Sequence, residues 1–318
     1  MLVFPEVRGN FLSMSSDSFS MGGLDYPTFA WDHLVYRYMF LFGFVILIYD
    51  HFLTFDDEVR LIWRRPLRPS ALWFFAVRYF SLACSIGMLF FYFWDFTPAS
   101  IHQGKVMETL LMGQETLVEV TLALRVMGMY GNSLKVRIPL AVLGGIIAGL
   151  GLWTMIEYGE PQMLTAPGMS GCHTALPRKT ALILAGVWES QTVFDLFVFI
   201  LTVYRAHADR AVISMVQGSL VERMMRDGAM YFGIIALANL ADVLTLYLGD
   251  VLIAGILSWG TTSLSVTLIS RLILNLHRAG EGNTSAMTHD TTQLEGYSLR
   301  QPAAGTPGGL VVRGVYGR

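Results

Sequence analysis

The sequence predicts an all-α, polytopic membrane protein: a bundle of seven transmembrane helices with its N-terminus outside and its C-terminus in the cytosol. Three observations predict it. Of the 318 residues, 53% are hydrophobic and 14% charged, whereas a typical soluble domain is about 25% charged. Mean hydropathy is +0.50. The apolar residues are gathered into successive runs of about twenty, the length that crosses ~30 Å of hydrocarbon as a helix.

Residues 1–30 read as an extracellular N-terminal segment. Pro5, Glu6, Arg8 and Asp17 interrupt its short apolar pieces, so it lacks the unbroken apolar core of a cleavable signal peptide. Residues 31–278 form the transmembrane domain, with spans over Leu34–Phe55, Ala71–Phe93, Val106–Met129, Ile138–Ile156, Thr180–Val203, Ala229–Leu248 and Val251–Leu274. They must be helices, because in hydrocarbon every backbone N–H and C=O needs an internal partner and the alternation of a spanning strand is missing.

The connections set the orientation. Arg60, Arg64, Arg65, Arg68, Lys135, Arg137, Arg205, Arg210, Arg223, Arg226 and Arg278 fall on one face, against Arg8, Lys105, Arg178 and Lys179 on the other. The richer face is cytosolic by the positive-inside rule. In the first span Arg37 and Asp50 lie near enough to an end to snorkel. Gly249 and Asp250 read as a tight turn joining the last two spans. In span four, Gly144, Gly145, Ala148 and Gly149 predict close helix packing. Residues 279–318 turn to Gly, Thr, Ser, Pro and Gln and read as a disordered cytosolic tail.

Between spans five and six, Ile213, Val216, Leu220 and Met224 recur at helical spacing among Arg210, Glu222, Arg223 and Arg226. This predicts either an amphipathic surface helix or an extension of the neighbouring spans. The loop 205–227 is the candidate docking site for a cytosolic partner.

The segment YDHFLTFDDEVRLIW, Tyr49–Trp63, followed by Arg78-Tyr79, resembles the domain-of-unknown-function family 6533 of fungal membrane proteins, most strongly over residues 33–93. RVMGMYG from Arg125, WESQTVFDLFVFILTVYRA from Trp188, DGAMYFGIIALANL from Asp227 and SRLILNL from Ser270 extend the resemblance over most of 30–278. It implies a multi-pass protein with a recognition segment over the first two spans, and no activity. It also implies a cysteine near the outer end of span two or three; WDFTPASIHQGK has none, which leaves Cys172 without an evident partner.

Ionisable groups within spans are the informative residues, since a charge at a helix centre costs roughly 2.5–3.5 kcal/mol on insertion scales. Glu108, Glu115 and Glu119 share one face of span three. Glu189 and Asp195 lie in span five, Asp242 lies beside Asn239 in span six, and Arg78 lies in span two. One reading is a polar interior that binds a cation, a proton or a polar ligand, because carboxylates held close can exchange protons. The other is that these groups are neutral or paired and hold helices together, with Arg78 joined to Asp50 or Glu119.

Several classes are disfavoured. The net charge of −2 and scattered basic residues argue against nucleic-acid partners. Two cysteines build no disulfide framework, and the seven histidines form no helical metal motif. The lysines Lys105, Lys135 and Lys179 all fall in loops, so a retinal Schiff base has no anchor. No acidic residue precedes Arg125 and no Asn-Pro pair marks the last span, so a G-protein-coupled receptor is suggested by architecture alone.

The expectation is a non-enzyme without cofactor or metal, embedded in a lipid bilayer of undetermined cellular address. It acts as a receptor-like sensor or signalling component with an unknown ligand. The alternatives are an ion- or proton-coupled transporter using the span-three carboxylates, and a structural or assembly protein.

Overall fold

The computed structural model describes residues 26–64, 66–93, 101–157, 162–164, 173–175, 178–213, 220–249 and 253–298. Seven helices follow one another: α1 Tyr26–Leu61, α2 Pro69–Phe93, α3 Ile101–Met129, α4 Leu134–Glu157, α5 Arg178–Ile213, α6 Leu220–Leu248 and α7 Ser258–Ser298. A three-residue antiparallel ladder, β1 Gln162–Leu164 with β2 His173–Ala175, lies in the α4–α5 connection. The chain divides into two compact units, Met1–Leu274 and Asn275–Arg318, and the packing below belongs to the first.

Among the described residues, five helices are long and apolar enough to cross a membrane: α1 over Ala30–Leu61, α2, α4 over Leu134–Ile156, α5 over Ala181–Ala208 and α6 over Gly228–Leu248. The surface is inverted relative to a soluble protein. Phe52, Leu152, Leu237 and Leu248 are exposed, while Asp50, Glu58, Arg78, Asp195, Asn239 and Asp242 are buried. A face of large exposed side chains of this kind belongs against lipid.

The other two helices depart from that pattern for different reasons. α3 carries Glu108, Glu115, Glu119 and Arg125. α7 is rich in hydroxyls, and Thr261, Thr262, Ser263, Ser265, Thr267 and Ser270 are all buried beside Val266, Ile269 and Leu272. Enclosed by protein, α7 has little need of an apolar exterior. Its Thr261 and Thr262 hydroxyls donate to the Ser258 carbonyl at 3.0 and 2.8 Å, a local bond that satisfies the group without water.

The α3–α4 turn is set by Gly131 and Asn132, both left-handed with φ of 60° and 58°. The Asn132 N–H closes back on the Met127 carbonyl at 2.8 Å, the bond of a Schellman end.

Several expectations are corrected. α7 begins at Ser258 rather than Val251, because 253–257 form turns that bury Ala254 and Ile256; the short Gly249–Asp250 link is thus a longer connection, and Asp250 lies outside the described residues. α7 also continues to Ser298, so the tail expected to be disordered from 279 is helical in its first part. α5 and α6 extend to Ile213 and from Leu220, with 214–219 outside the described residues.

Gly144, Gly145 and Gly149 of α4 make no close helix contact: a Cβ at any of them would meet nothing within 4 Å. Close approach occurs instead between α1 and α7, where a Cβ on Gly43 would stand 2.9 Å from the Gly260 Cα.

Candidate functional site

Two polar assemblies occupy the bundle, and they differ in charge balance. The first joins α1 to α2 and α7. Asp50, Thr54 and Glu58 recur every fourth residue and so share one helical face. Arg78 of α2 reaches into that face. Its Nε lies 3.0 Å from Glu58 Oε2 and its Nη1 3.8 Å from Asp50 Oδ2, while Nη2 donates to Thr54 Oγ1 at 2.8 Å and to the His51 carbonyl at 3.2 Å. Glu58 Oε1 accepts from Tyr79 at 2.6 Å and from Trp63 Nε1 at 3.0 Å. Arg271 of α7 donates to Asp50 Oδ1 at 2.5 Å.

Two acids thus face two arginines, and the cluster is neutral as a whole. Of the partners the sequence offers Arg78, Asp50 is in contact, but the nearer acid is Glu58. Asp50 does not snorkel: α1 runs past it to Leu61 and buries it.

The second assembly has no such balance. Glu115 and Glu119, one turn apart on α3, are both buried. They line a cavity of about 680 Å³ walled by α3, α4 and α5. Gln191 of α5 donates to Glu115 Oε2 at 2.6 Å, whereas Glu115 Oε1 and Glu119 Oε1 are buried without a hydrogen-bond partner. Gly144, Ala148 and Gly151 form part of the α4 wall, so the small residues expected to admit a helix leave open space. Leu124 and Leu152 stand on the rim and are exposed on the outer apolar surface, so the cavity opens sideways. Its one basic lining residue, Arg137, stands at the start of α4.

Behind the cavity the acids continue inward. Asp195 and Glu115 lie within electrostatic reach of Glu119, and Asp242 lies within reach of Glu115. Asn239 of α6 donates to Asp195 Oδ2 at 2.7 Å. Ser258 of α7 donates to Asp242 Oδ2 at 2.7 Å, and Thr245 to its Oδ1 at 3.2 Å. Asp195 Oδ1 and Asn239 Oδ1 remain without partners. Asp195, Asn239 and Asp242 do not line the cavity.

Glu189 joins neither assembly. It is exposed on the outer face of α5, where it accepts from Tyr247 at 2.6 Å. The sequence reading missed Glu58, Arg271, Thr54, Tyr79 and Gln191. No group of three or more potential metal-ligating side chains occurs among the described residues. Cys84 is a buried free thiol, and Cys172 lies outside the described residues.

No curated protein and no solved structure matches the chain. One family model matches, over residues 37–83, a range that holds Asp50, Thr54, Glu58, Arg78 and Tyr79 and therefore most of the neutral cluster. The further stretches of resemblance, from Arg125 onward, lie beyond that range. What the matched segment encodes is a helical hairpin closed by a buried arginine and its acids, and over that segment the chain matches the model of the family of unknown function DUF6533.

Proposed function

We propose that the protein is a seven-span receptor-like sensor, N-terminus outside, that binds a small membrane-soluble ligand in the cavity between α3, α4 and α5. The observation that carries this reading is the pair of buried carboxylate oxygens left without partners on Glu115 and Glu119, two residues that line a mainly apolar cavity. Burying an unpaired polar group costs free energy, so a structural role alone would favour replacing it or pairing it. The volume falls within the ~300–1,000 Å³ typical of small-molecule sites. The role is binding rather than catalysis, and a signal would leave through the loop 205–227.

The test is co-purification. Protein extracted into native nanodiscs and examined by native mass spectrometry should carry a small molecule that Gly144→Phe, which fills the cavity, excludes. Identical small-molecule content in both proteins would sink the reading.

A second reading, an ion- or proton-coupled transporter, is favoured by the run of acids from Glu119 through Glu115 and Asp195 to Asp242. It requires pH-dependent flux in proteoliposomes that Glu115→Gln with Glu119→Gln abolishes. Flux that is absent, or unchanged in that variant, removes it.

A further inference from the structure

We infer that the ligand of this cavity is a lipid-soluble organic amine whose protonated nitrogen sits between Glu115 and Glu119; the assignment rests on the binding role proposed above. Glu115 and Glu119 are one helical turn apart on α3, about 6 Å of axial rise for four residues at ~1.5 Å each, so both carboxyls belong to one face of the helix. Gln191 holds Glu115 by Oε2, while Glu115 Oε1 and Glu119 Oε1 are buried and without a hydrogen-bond partner, on two residues that line the same cavity.

The protein supplies no cation of its own here. Arg78 is committed to Glu58 and Asp50, and Arg271 to Asp50. Arg137, the basic lining residue, stands exposed at the start of α4.

Competing ligand classes fit less well. An anion would face two acids. A metal ion needs about six to eight oxygens if calcium-like, whereas beyond Thr109, Thr116, Gln191 and Arg137 the remaining walls are apolar, Met112, Val120, Ala123, Ile147 and Phe194 among them. Those walls instead suit a hydrocarbon or aromatic body, and the rim at Leu124 and Leu152 admits it sideways from lipid. A neutral alcohol would fill the same space but gain only ordinary hydrogen bonds, which are weaker than charge-assisted ones.

The test uses the full chain in nanodiscs and three matched probes: 4-phenylbutylamine, 4-phenylbutanol and 4-phenylbutyrate. The melting temperature is read against probe concentration. The amine is expected to raise it saturably, and the alcohol controls for partition into the bilayer. Glu115→Gln and Glu119→Gln, singly, should each raise the half-saturating amine concentration about tenfold or more, the loss of one charge-assisted bond. Gly144→Phe, which leaves both acids in place, should abolish the shift. Equal shifts with amine and alcohol, or an amine shift unchanged in the Gln variants, would overturn the amine assignment while leaving cavity binding intact. No shift with the amine also overturns it, and the binding reading falls too only if nothing co-purifies with the wild-type chain.

Discussion

The Arg78 guanidinium lies 3.0 Å from the Glu58 carboxylate, and neither side chain has any exposed surface. The N–H is not aligned for a hydrogen bond, since Arg78 Nε and Glu58 Oε2 both lack one, so the contact is an ion pair. Asp50, shared between Arg78 and Arg271, completes a cluster of zero net charge. Removing one member leaves an uncompensated charge inside the bundle, at a cost of about 3–5 kcal/mol for a buried pair.

Arg78→Leu should therefore strongly destabilise the protein, seen as a large loss of folded material and a lowered melting temperature in detergent. Arg78→Leu combined with Glu58→Leu should recover much of that loss, because the remaining Asp50–Arg271 pair is again balanced. A double variant as unstable as the single one would show that Glu58 is not the charge Arg78 compensates.

The bond between Asn239 and Asp195 should matter less. Interhelical hydrogen bonds in membrane proteins average about 0.6 kcal/mol in double-mutant cycles, with a maximum near 1.7. Asn239→Ala should cost on that order in SDS-titrated unfolding, and the effect should vanish when Asp195 is already Ala. A loss as large as that of Arg78→Leu would mean that Asp195 needs Asn239 to remain in the interior at all.

How much of this was legible follows from where charge stands out. Glu115, Glu119, Asp195 and Asp242 are conspicuous in the sequence because hydrocarbon-length runs surround them. Glu58 is hidden: it follows Asp56 and Asp57, and three successive acids after Phe55 read as the end of a span. The usable signal was the spacing of Asp50, Thr54 and Glu58, one face of a helix that continues to Leu61. Gln191 carries no charge and so gave no warning. The α4 glycines misled for another reason. Small residues at Gly-x-x-x-Gly spacing permit close approach, yet only the tertiary structure decides whether a helix or a cavity fills the space.

Glycine substitutions separate those two outcomes. At Gly43 an added methyl must push against the Gly260 backbone, so Gly43→Ala should cost about 1–3 kcal/mol as overpacking and loosen α1 from α7. Gly145→Ala, with nothing within 4 Å of its new Cβ, should leave stability unchanged or slightly raised, since Ala favours helix over Gly by up to about 1 kcal/mol. Thermal melts of the two variants in one detergent check the contrast, and equal losses would contradict the α1–α7 contact.

Orientation yields to the chain's two cysteines. The proposed orientation has the α4–α5 connection outside, and Cys172 with it, while Cys84 is buried as a free thiol. A membrane-impermeant maleimide applied to intact cells should then label the wild-type chain once, and Cys172→Ser should remove the label. In the Cys172→Ser background, Arg64→Cys should react only after permeabilisation, because the proposed orientation puts the α1–α2 connection, with Arg60, Arg64, Arg65 and Arg68, on the cytosolic side as the positive-inside rule expects. Labelling of Arg64→Cys in intact cells would reverse the topology and move the loop 205–227, with its proposed partner, to the opposite face.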